Sequence, residues 1–330
     1  SFRWFQVAKC SVCGKPAVYV AKYEGKAYCP EHFLEWFDRR VRKTIRKYRM
    51  FGKKEKIVVA VSGGKDSLAA LHYMKNLSKR VPGWEVEALL IDEGIQGYRP
   101  ITIKDFKKWV EEWEVPYRIL SFKDEIGASL DEIVTRGHEK RLPYQPCTYC
   151  GVFRRYFLNK GAKEMGATVL VTGHNLDDEI QTFLMNIMRH DIDRLARLGP
   201  VTGVSEHEGF VKRVKIFYDI PEKEVVVYSM INGFFPEFVE CPYARLGFRW
   251  DLRHYINLLE DKYPGTKFMI QKSLLDIVSE LKKTRREGKP KKCKICGESA
   301  TGEVCRACEL RILLGLMEPP DWFDVKSIRI

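Results

Sequence analysis

Three stretches of the chain are short, almost wholly apolar runs bounded by polar or turn residues. They are Ile57-Val58-Val59-Ala60-Val61, Val86-Glu87-Ala88-Leu89-Leu90-Ile91 and Thr168-Val169-Leu170-Val171-Thr172. Runs of this length, rich in β-branched residues, predict buried strands. Tyr117-Arg118-Ile119-Leu120 is a weaker fourth candidate. Between the runs, apolar residues recur at helical spacing over 66–79, 103–114 and 152–165. Alternating strands and helices over roughly 56–232 predict an α/β fold, a parallel sheet with helices on both faces. Ligands of such sheets bind beyond the carboxyl ends of the strands, which points to the segments after Val61, Ile91 and Thr172.

A further helical pattern covers 31–50, with Phe33, Trp36, Phe37, Val41, Ile45 and Tyr48 on one face. Its other face is basic: Arg39, Arg40, Arg42, Lys43, Arg46, Lys47 and Arg49, followed by Lys53, Lys54 and Lys56. A charge run is ordinarily a solvated face, but charges of one sign repel unless an anion compensates them. RNA or DNA phosphates are the expected anion. The whole chain agrees, with 57 Lys+Arg against 44 Asp+Glu in 330 residues and a formal charge of +13. That length suggests two or three domains. No apolar run reaches the roughly 18–20 residues of a membrane span, and the first residues carry no signal-peptide core. A cytoplasmic protein is expected, with no membrane partner.

The ten cysteines divide the chain further. Cys10-x2-Cys13-x15-Cys29-x2-His32 offers four soft ligands in two paired knuckles, and Cys293-x2-Cys296-x8-Cys305-x2-Cys308 offers four more. Such spacing reads as two closed tetrahedral zinc sites, where a short segment needs a metal staple because it buries little core. Unrelated buried thiols or disulfides are the alternative, and disulfides fit poorly in a long chain with no secretory signal. Two zinc ions and seven thiolates bring the charge to about +10, still clearly basic. The expected organisation is a zinc finger over 1–34, a basic helix and linker over 35–55, a catalytic domain over 56–284, and a zinc ribbon with tail over 285–330. A basic linker at 282–292 leads into the ribbon.

Three cysteines remain: Cys147, Cys150 and Cys241. Three thiolates suit a [4Fe–4S] cluster with one iron open. A redox C-x-x-C pair with a bystander thiol explains the same spacing, and spacing alone leaves both open.

After the first strand comes Ser62-Gly63-Gly64-Lys65-Asp66-Ser67, opening a helix. Two glycines let the backbone turn tightly against a phosphate, and the helix N-terminus aims free N–H groups at it. Ser62 and Ser67 add hydroxyls, and Asp66 can cap the helix or help hold Mg²⁺. The pattern is not G-x-x-x-x-G-K-[ST], so a kinase or GTPase P-loop is set aside.

The SGGKDS segment resembles the PP-loop of the ATP pyrophosphatase superfamily. Thr172-Gly173-His174-Asn175-Leu176-Asp177-Asp178 resembles the TGHNxDD segment of its tRNA 2-thiolation enzymes, and Leu90-Ile91-Asp92-Glu93-Gly94-Ile95 their second strand end. Pro146-Cys147-Thr148-Tyr149-Cys150-Gly151 and Glu240-Cys241-Pro242 resemble their cysteine sites. With the basic helix, both zinc modules and Val214-Lys215-Ile216-Phe217-Tyr218, the likeness spans almost the whole chain. It is greatest to the sulfurtransferases that make 2-thio-ribothymidine in the tRNA T-loop; enzymes of the wobble uridine share most motifs.

The resemblance implies an ATP-dependent enzyme that adenylates the uridine 2-oxygen, releases pyrophosphate, and replaces the oxygen by sulfur as AMP leaves. It implies ATP and Mg²⁺, two structural zinc ions, and one [4Fe–4S] cluster on Cys147, Cys150 and Cys241, whose open iron would hold the incoming sulfide. Ser62, Gly63, Gly64, Asp66 and Ser67 would hold the phosphates; Ala60, Val61 and Ile91 would border adenine; Gly173 would permit close approach. Asp178 would be the catalytic or Mg²⁺-organising carboxylate, although it can also simply complement a helix dipole. Arg154, where relatives often carry Lys, would reach a phosphate. Implied partners are tRNA, a ubiquitin-like carrier with a C-terminal thiocarboxylate, and a second copy of the chain. Two rival functions are an RNA-binding zinc-ribbon adaptor and a PP-loop synthetase or amidotransferase on a small molecule; the latter needs neither zinc modules nor a basic helix.

Overall fold

The computed structural model describes residues 8–203, 209–237, 239–244, 247–284, 291–300 and 302–328. Residues 1–7, and 285–290 of the basic linker, fall outside that set.

The chain begins with a hairpin, β1 (Tyr19–Ala21) and β2 (Lys26–Tyr28), and then α1 (Pro30–Lys47). The central part runs β3 (Glu55–Ala60), α2 (Lys65–Ser78), β4 (Trp84–Asp92), α3 (Arg99–Glu112), β5 (Tyr117–Ser121), α4 (Phe122–Ile126), α5 (Leu130–Glu139) and α6 (Pro146–Glu164). It continues with β6 (Val169–Asn175), α7 (Leu176–Met188), α8 (Ile192–Ala196), β7 (Val201–Thr202), β8 (Lys212–Phe217) and α9 (Glu222–Ile231). Then follow α10 (Phe248–Lys262), α11 (Thr266–Thr284), a second small hairpin of β9 (Lys291–Lys292) and β10 (Ser299–Ala300), and α12 (Arg306–Leu313).

Among the described residues, the central sheet has six strands in the order β5-β4-β3-β6-β8-β7. All neighbours pair parallel except β7 with β8. From β3 the chain moves outward through β4 to β5, and then returns to lay β6 on the other side of β3. The order therefore reverses between β3 and β6, and a crevice opens beyond their carboxyl ends. The apolar runs read from sequence are the buried centres of these strands: Val58, Val59, Leu89, Leu90, Leu170 and Val171 are all 0% exposed.

Two elements begin earlier than their periodicity suggests. Helix α6 starts at Pro146, not near 152, so Cys147 and Cys150 lie within its first turns. Proline is at home at a helix start, where its missing N–H is one of the unsatisfied donors anyway. Helix α3 likewise starts at Arg99, with Pro100 in its first turn.

Helix α1 packs on the sheet domain by its apolar face: Phe33, Phe37 and Val41 are fully buried, and Phe37 stacks on Tyr228 of α9 at 4.5 Å. One cation of the expected RNA face turns inward instead. Arg40 pairs with buried Glu224, which also accepts from Tyr23 at 2.5 Å and Tyr19 at 3.2 Å. Lys47 lies 3.4 Å from Asp219. Arg39, Lys43, Arg46 and Arg49 remain in solvent, and Arg42 is 3.7 Å from Asp38.

Candidate active site at the sheet switch point

The segment after β3 is a tight turn whose shape its residues dictate. Gly63 has φ +84°, and a Cβ there would meet the Thr102 carbonyl oxygen at 2.4 Å. Only glycine satisfies both demands. Gly64 caps α2. The Ser67 hydroxyl closes the turn, accepting from the Ser62 N–H at 3.1 Å and donating to the Gly64 carbonyl at 2.9 Å. Ser62 Oγ lies 3.1 Å from Ser67 Oγ. Lys65 turns sideways to Asp66 at 2.9 Å and Glu222 at 2.7 Å.

The end of β6 presses on this turn. A Cβ on Gly173 would fall 2.6 Å from the Asp66 carbonyl oxygen. Asn175 and Asp178 form a reciprocal capping box at the start of α7, with both hydrogen bonds at 3.1 Å. Asp177 is turned away and buried, where it binds Lys267 of α11 and accepts from the Glu222 N–H at 2.8 Å. Asp178 keeps its second oxygen, Oδ1, toward Arg249 at 3.4 Å.

Between the two strand ends lies a cavity of about 240 Å³. Its walls include Ala60, Val61, Ser62, Asp66, Ser67, Ile91, Arg154, Gly173 and Asp178. Gly63 and Gly64 shape its rim without lining it. Asp66 is the unusual group here. Burial pushes its carboxyl up to about 7; Lys65 opposes that, and Asp178 and Glu222 add to it. Its Oδ1 is buried with no hydrogen-bond partner. An orphaned carboxylate oxygen beside a second carboxylate has the donor chemistry for a hard divalent cation.

The cysteines fall into two kinds of arrangement. Cys10, Cys13, Cys29 and His32 bring their ligand atoms within 4.8 Å of one another, and so do Cys293, Cys296, Cys305 and Cys308. Each is a donor set for one tetrahedral soft ion. Cys147, Cys150 and Cys241 are not drawn together in that way; among the described residues only the two terminal sets are. A cubane cluster places each thiolate on a separate iron, so its sulfurs need not converge as those of a single-ion site do. The three thiols nevertheless gather at one end of α6. Cys147 Sγ lies 3.8 Å from the Tyr243 carbonyl, two residues from Cys241, and Cys150 Sγ lies 3.3 Å from Arg154 Nη2. Burial pushes Cys150 up to about 11 despite Arg154, and raises Cys241 as well.

Residues 33–212 match the family model of the PP-loop domain, more than half of the chain. Residues 9–34 match the model described as the N-terminal LIM domain of 2-thiouridine synthetase TtuA. The tRNA-5-methyluridine(54) 2-sulfurtransferase of Pyrococcus horikoshii is 36% identical over 91% of this chain and 93% of its own length. The chain belongs to the PP-loop family of tRNA 2-thiolation enzymes. A probable sulfurtransferase of Methanocaldococcus jannaschii is 38% identical over 95% of the chain and 90% of its own length. The solved structure of the U34-tRNA thiolase NcsA from Methanococcus maripaludis, with its [4Fe-4S] cluster, superposes with a TM-score of 0.81 at 34% identity. It covers 97% of this chain and 100% of its own.

Within this PP-loop thiolation site, three charged residues escaped the sequence reading. Glu93, directly after β4, is 0% exposed, and Arg99 on α3 is 2% exposed. The available signal was a paired Asp92-Glu93 closing a buried apolar strand: one acid makes the local turn, with Asp92 Oδ1 accepting from Gly94 N–H at 2.8 Å, and the other has to be neutralised elsewhere. Arg249, which faces Asp178, carried no motif at all. No helix of the described residues is long and apolar enough to cross a membrane.

Proposed function

We propose that this chain uses ATP to replace the 2-oxygen of a tRNA uridine by sulfur, and that its preferred substrate is 5-methyluridine of the T-loop. The carrying observation is one cavity that joins the phosphate loop, two carboxylates and Arg154, which in turn touches Cys150. In this reading the Gly63-Gly64 turn and the α2 N-terminus bind the ATP phosphates. Asp66 Oδ1 and Asp178 would hold Mg²⁺, which when bound supplies positive charge against the phosphates. The uridine 2-oxygen attacks the α-phosphorus of ATP. Pyrophosphate departs, sulfide adds to C2, and AMP leaves with the original oxygen. Ala60, Val61 and Ile91 border the base through backbone and apolar contacts.

Cys147, Cys150 and Cys241 would hold a [4Fe–4S] cluster, which when bound supplies an open iron position for a sulfur nucleophile. The terminal modules would each hold one structural zinc ion. Lys43, Arg46 and their neighbours on α1 are the proposed tRNA contact. The proposed sulfur donor is a ubiquitin-like protein with a C-terminal thiocarboxylate. A pairing of two copies has as its support the apolar Tyr255, Leu258 and Leu259, which stand 63%, 53% and 47% exposed on α10.

T-loop specificity is supported by the N-terminal module's match to the TtuA model and by the Pyrococcus relative. The wobble uridine is the second reading, because NcsA is described as a U34-tRNA thiolase. RNA-dependent release of AMP and pyrophosphate tests the reaction. An adaptor would release neither, and a small-molecule synthetase would release both without RNA.

A further inference from the structure

A buried carboxylate stands between the phosphate loop and the central cysteines, and the reaction described above does not use it. Glu93 Oε2 accepts from Arg99 Nε. Its Oε1 accepts from Arg154 Nε at 2.7 Å and Nη2 at 2.6 Å. Arg99 also donates from Nη1 to the Ser62 carbonyl, the first residue of the phosphate turn, at 2.6 Å. Arg154 Nη2 also reaches Cys150 Sγ at 3.3 Å. A continuous chain of charge-assisted hydrogen bonds thus runs from the nucleotide loop through Glu93 to a cysteine sulfur.

The chemistry of each member fits that arrangement. Burial alone would raise the Glu93 carboxyl, but Arg154 and Arg99 outweigh it and hold it below the usual carboxylate range. A lone structural ion pair needs one cation; here one fully buried carboxylate serves two, and each cation spends another N–H on a functional segment. Arginine is required at 154 for this. Its planar fork presents Nε to Glu93 and Nη2 to the sulfur together, which a lysine's single ammonium cannot reproduce.

We propose that Glu93 is a positioning residue shared by two sites: it holds Arg154 against the Cys150 sulfur and, through Arg99, fixes the Ser62 carbonyl of the phosphate loop. The inference rests on the reading of those sites as nucleotide-binding and cluster-binding. It requires that a change at Glu93 disturb both, whereas a change at Arg99 disturbs the phosphate loop alone.

The test uses anaerobically prepared full-length protein and two readouts that need no tRNA. One is the ATP dissociation constant; the other is the lifetime of the visible cluster absorption after exposure to air. R99K should weaken ATP about tenfold, the size of one charge-assisted hydrogen bond, and leave the lifetime unchanged. R154K should shorten the lifetime several-fold, because a lysine cannot reach Glu93 and the sulfur together. E93Q should do both, and E93Q/R154K should shorten the lifetime no further than E93Q alone, because the two act as one unit. A cooperatively folded E93Q that moves neither readout, or only one, overturns the proposal, and so does additivity in the double variant. If E93Q does not fold, E93D takes its place: it keeps the charge but is one methylene too short to reach both guanidiniums, so two unchanged readouts overturn the proposal. Protein that takes up no iron in any variant contradicts the cluster reading instead, and ATP affinity in E93Q then decides on its own, an unchanged value overturning the relay.

Discussion

Gly173, at the end of β6, lies directly against the backbone of Asp66, in the first turn of α2. The space for a Cβ is taken by the Asp66 carbonyl oxygen, 2.6 Å away, and by the Asp66 carbonyl carbon and Ser67 Cα, each at 2.8 Å. These are backbone atoms of a hydrogen-bonded turn and cannot swing aside. Gly173→Ala should therefore push the phosphate loop from β6, costing about 1–3 kcal/mol of stability and weakening ATP binding. Gly64→Ala is the control for stability, because its φ is −81° and the nearest atom to a Cβ is 3.5 Å away. Denaturant melts of both variants check this; equal stability would contradict the close packing.

Asp66 should give the nucleotide-free protein a distinctive pH dependence. Its carboxyl is raised from 3.8 to about 7 in the folded chain by burial. Ionisation therefore occurs more readily in the unfolded chain. The favourable contribution is complete below about pH 4 and is lost as pH rises toward 7. Asp66→Asn removes that loss. The variant should be more stable than the parent at pH 8, by up to about 4 kcal/mol, and the gap should close below about pH 4. Chemical denaturation at both ends of that range, without nucleotide or divalent ions, measures it. A variant less stable than the parent at pH 8 would mean that Asp66 is ionised and well satisfied.

The terminal knuckles should behave as separable metal staples. Cys13→Ser should lower bound zinc by about one ion per chain while the central sheet stays folded. The N-terminal hairpin should loosen, because its packing through Tyr19 and Tyr23 onto Glu224 depends on the knuckle's shape. Metal analysis with circular dichroism decides it; unchanged zinc would remove Cys13 from the ligand set.

Charge reversal at Lys43 and Arg46 should weaken tRNA binding and flatten the slope of log K against log salt by about two, one for each lost phosphate contact. Both stand in solvent on α1. The same change at Arg40 should instead damage folding, since its partner is buried Glu224. Binding isotherms at several salt concentrations check the first statement. An unaltered slope would make the helix face merely solvated.

Much of this was legible in the sequence because it rests on local pattern. The apolar runs of β3, β4 and β6 mark the sheet, and the glycine turn after β3 and the acidic helix start after β6 mark its switch point. Paired cysteines at knuckle spacing mark two converging ligand sets. Long-range pairing was not legible. Arg40 looks like its exposed neighbours, and only Glu224, 184 residues further on, turns it inward. Glu93 takes one partner 6 residues away and another 61 residues away. Pattern reading could not show that a charge after a buried strand would be enclosed by two guanidiniums. The early start of α6 was signalled by Pro146 but masked by its polar first turns, Cys147 and Thr148 among them.

The central claim is tested most directly by nucleoside mass spectrometry of tRNA incubated anaerobically with the purified chain, Mg²⁺, a sulfide source, and ATP or none. 2-Thio-ribothymidine should form only with ATP, and should be absent with the Asp66→Ala variant. A wobble 2-thiouridine in its place would contradict T-loop specificity. Tight tRNA binding with no thiolated nucleoside under any condition would contradict the account itself.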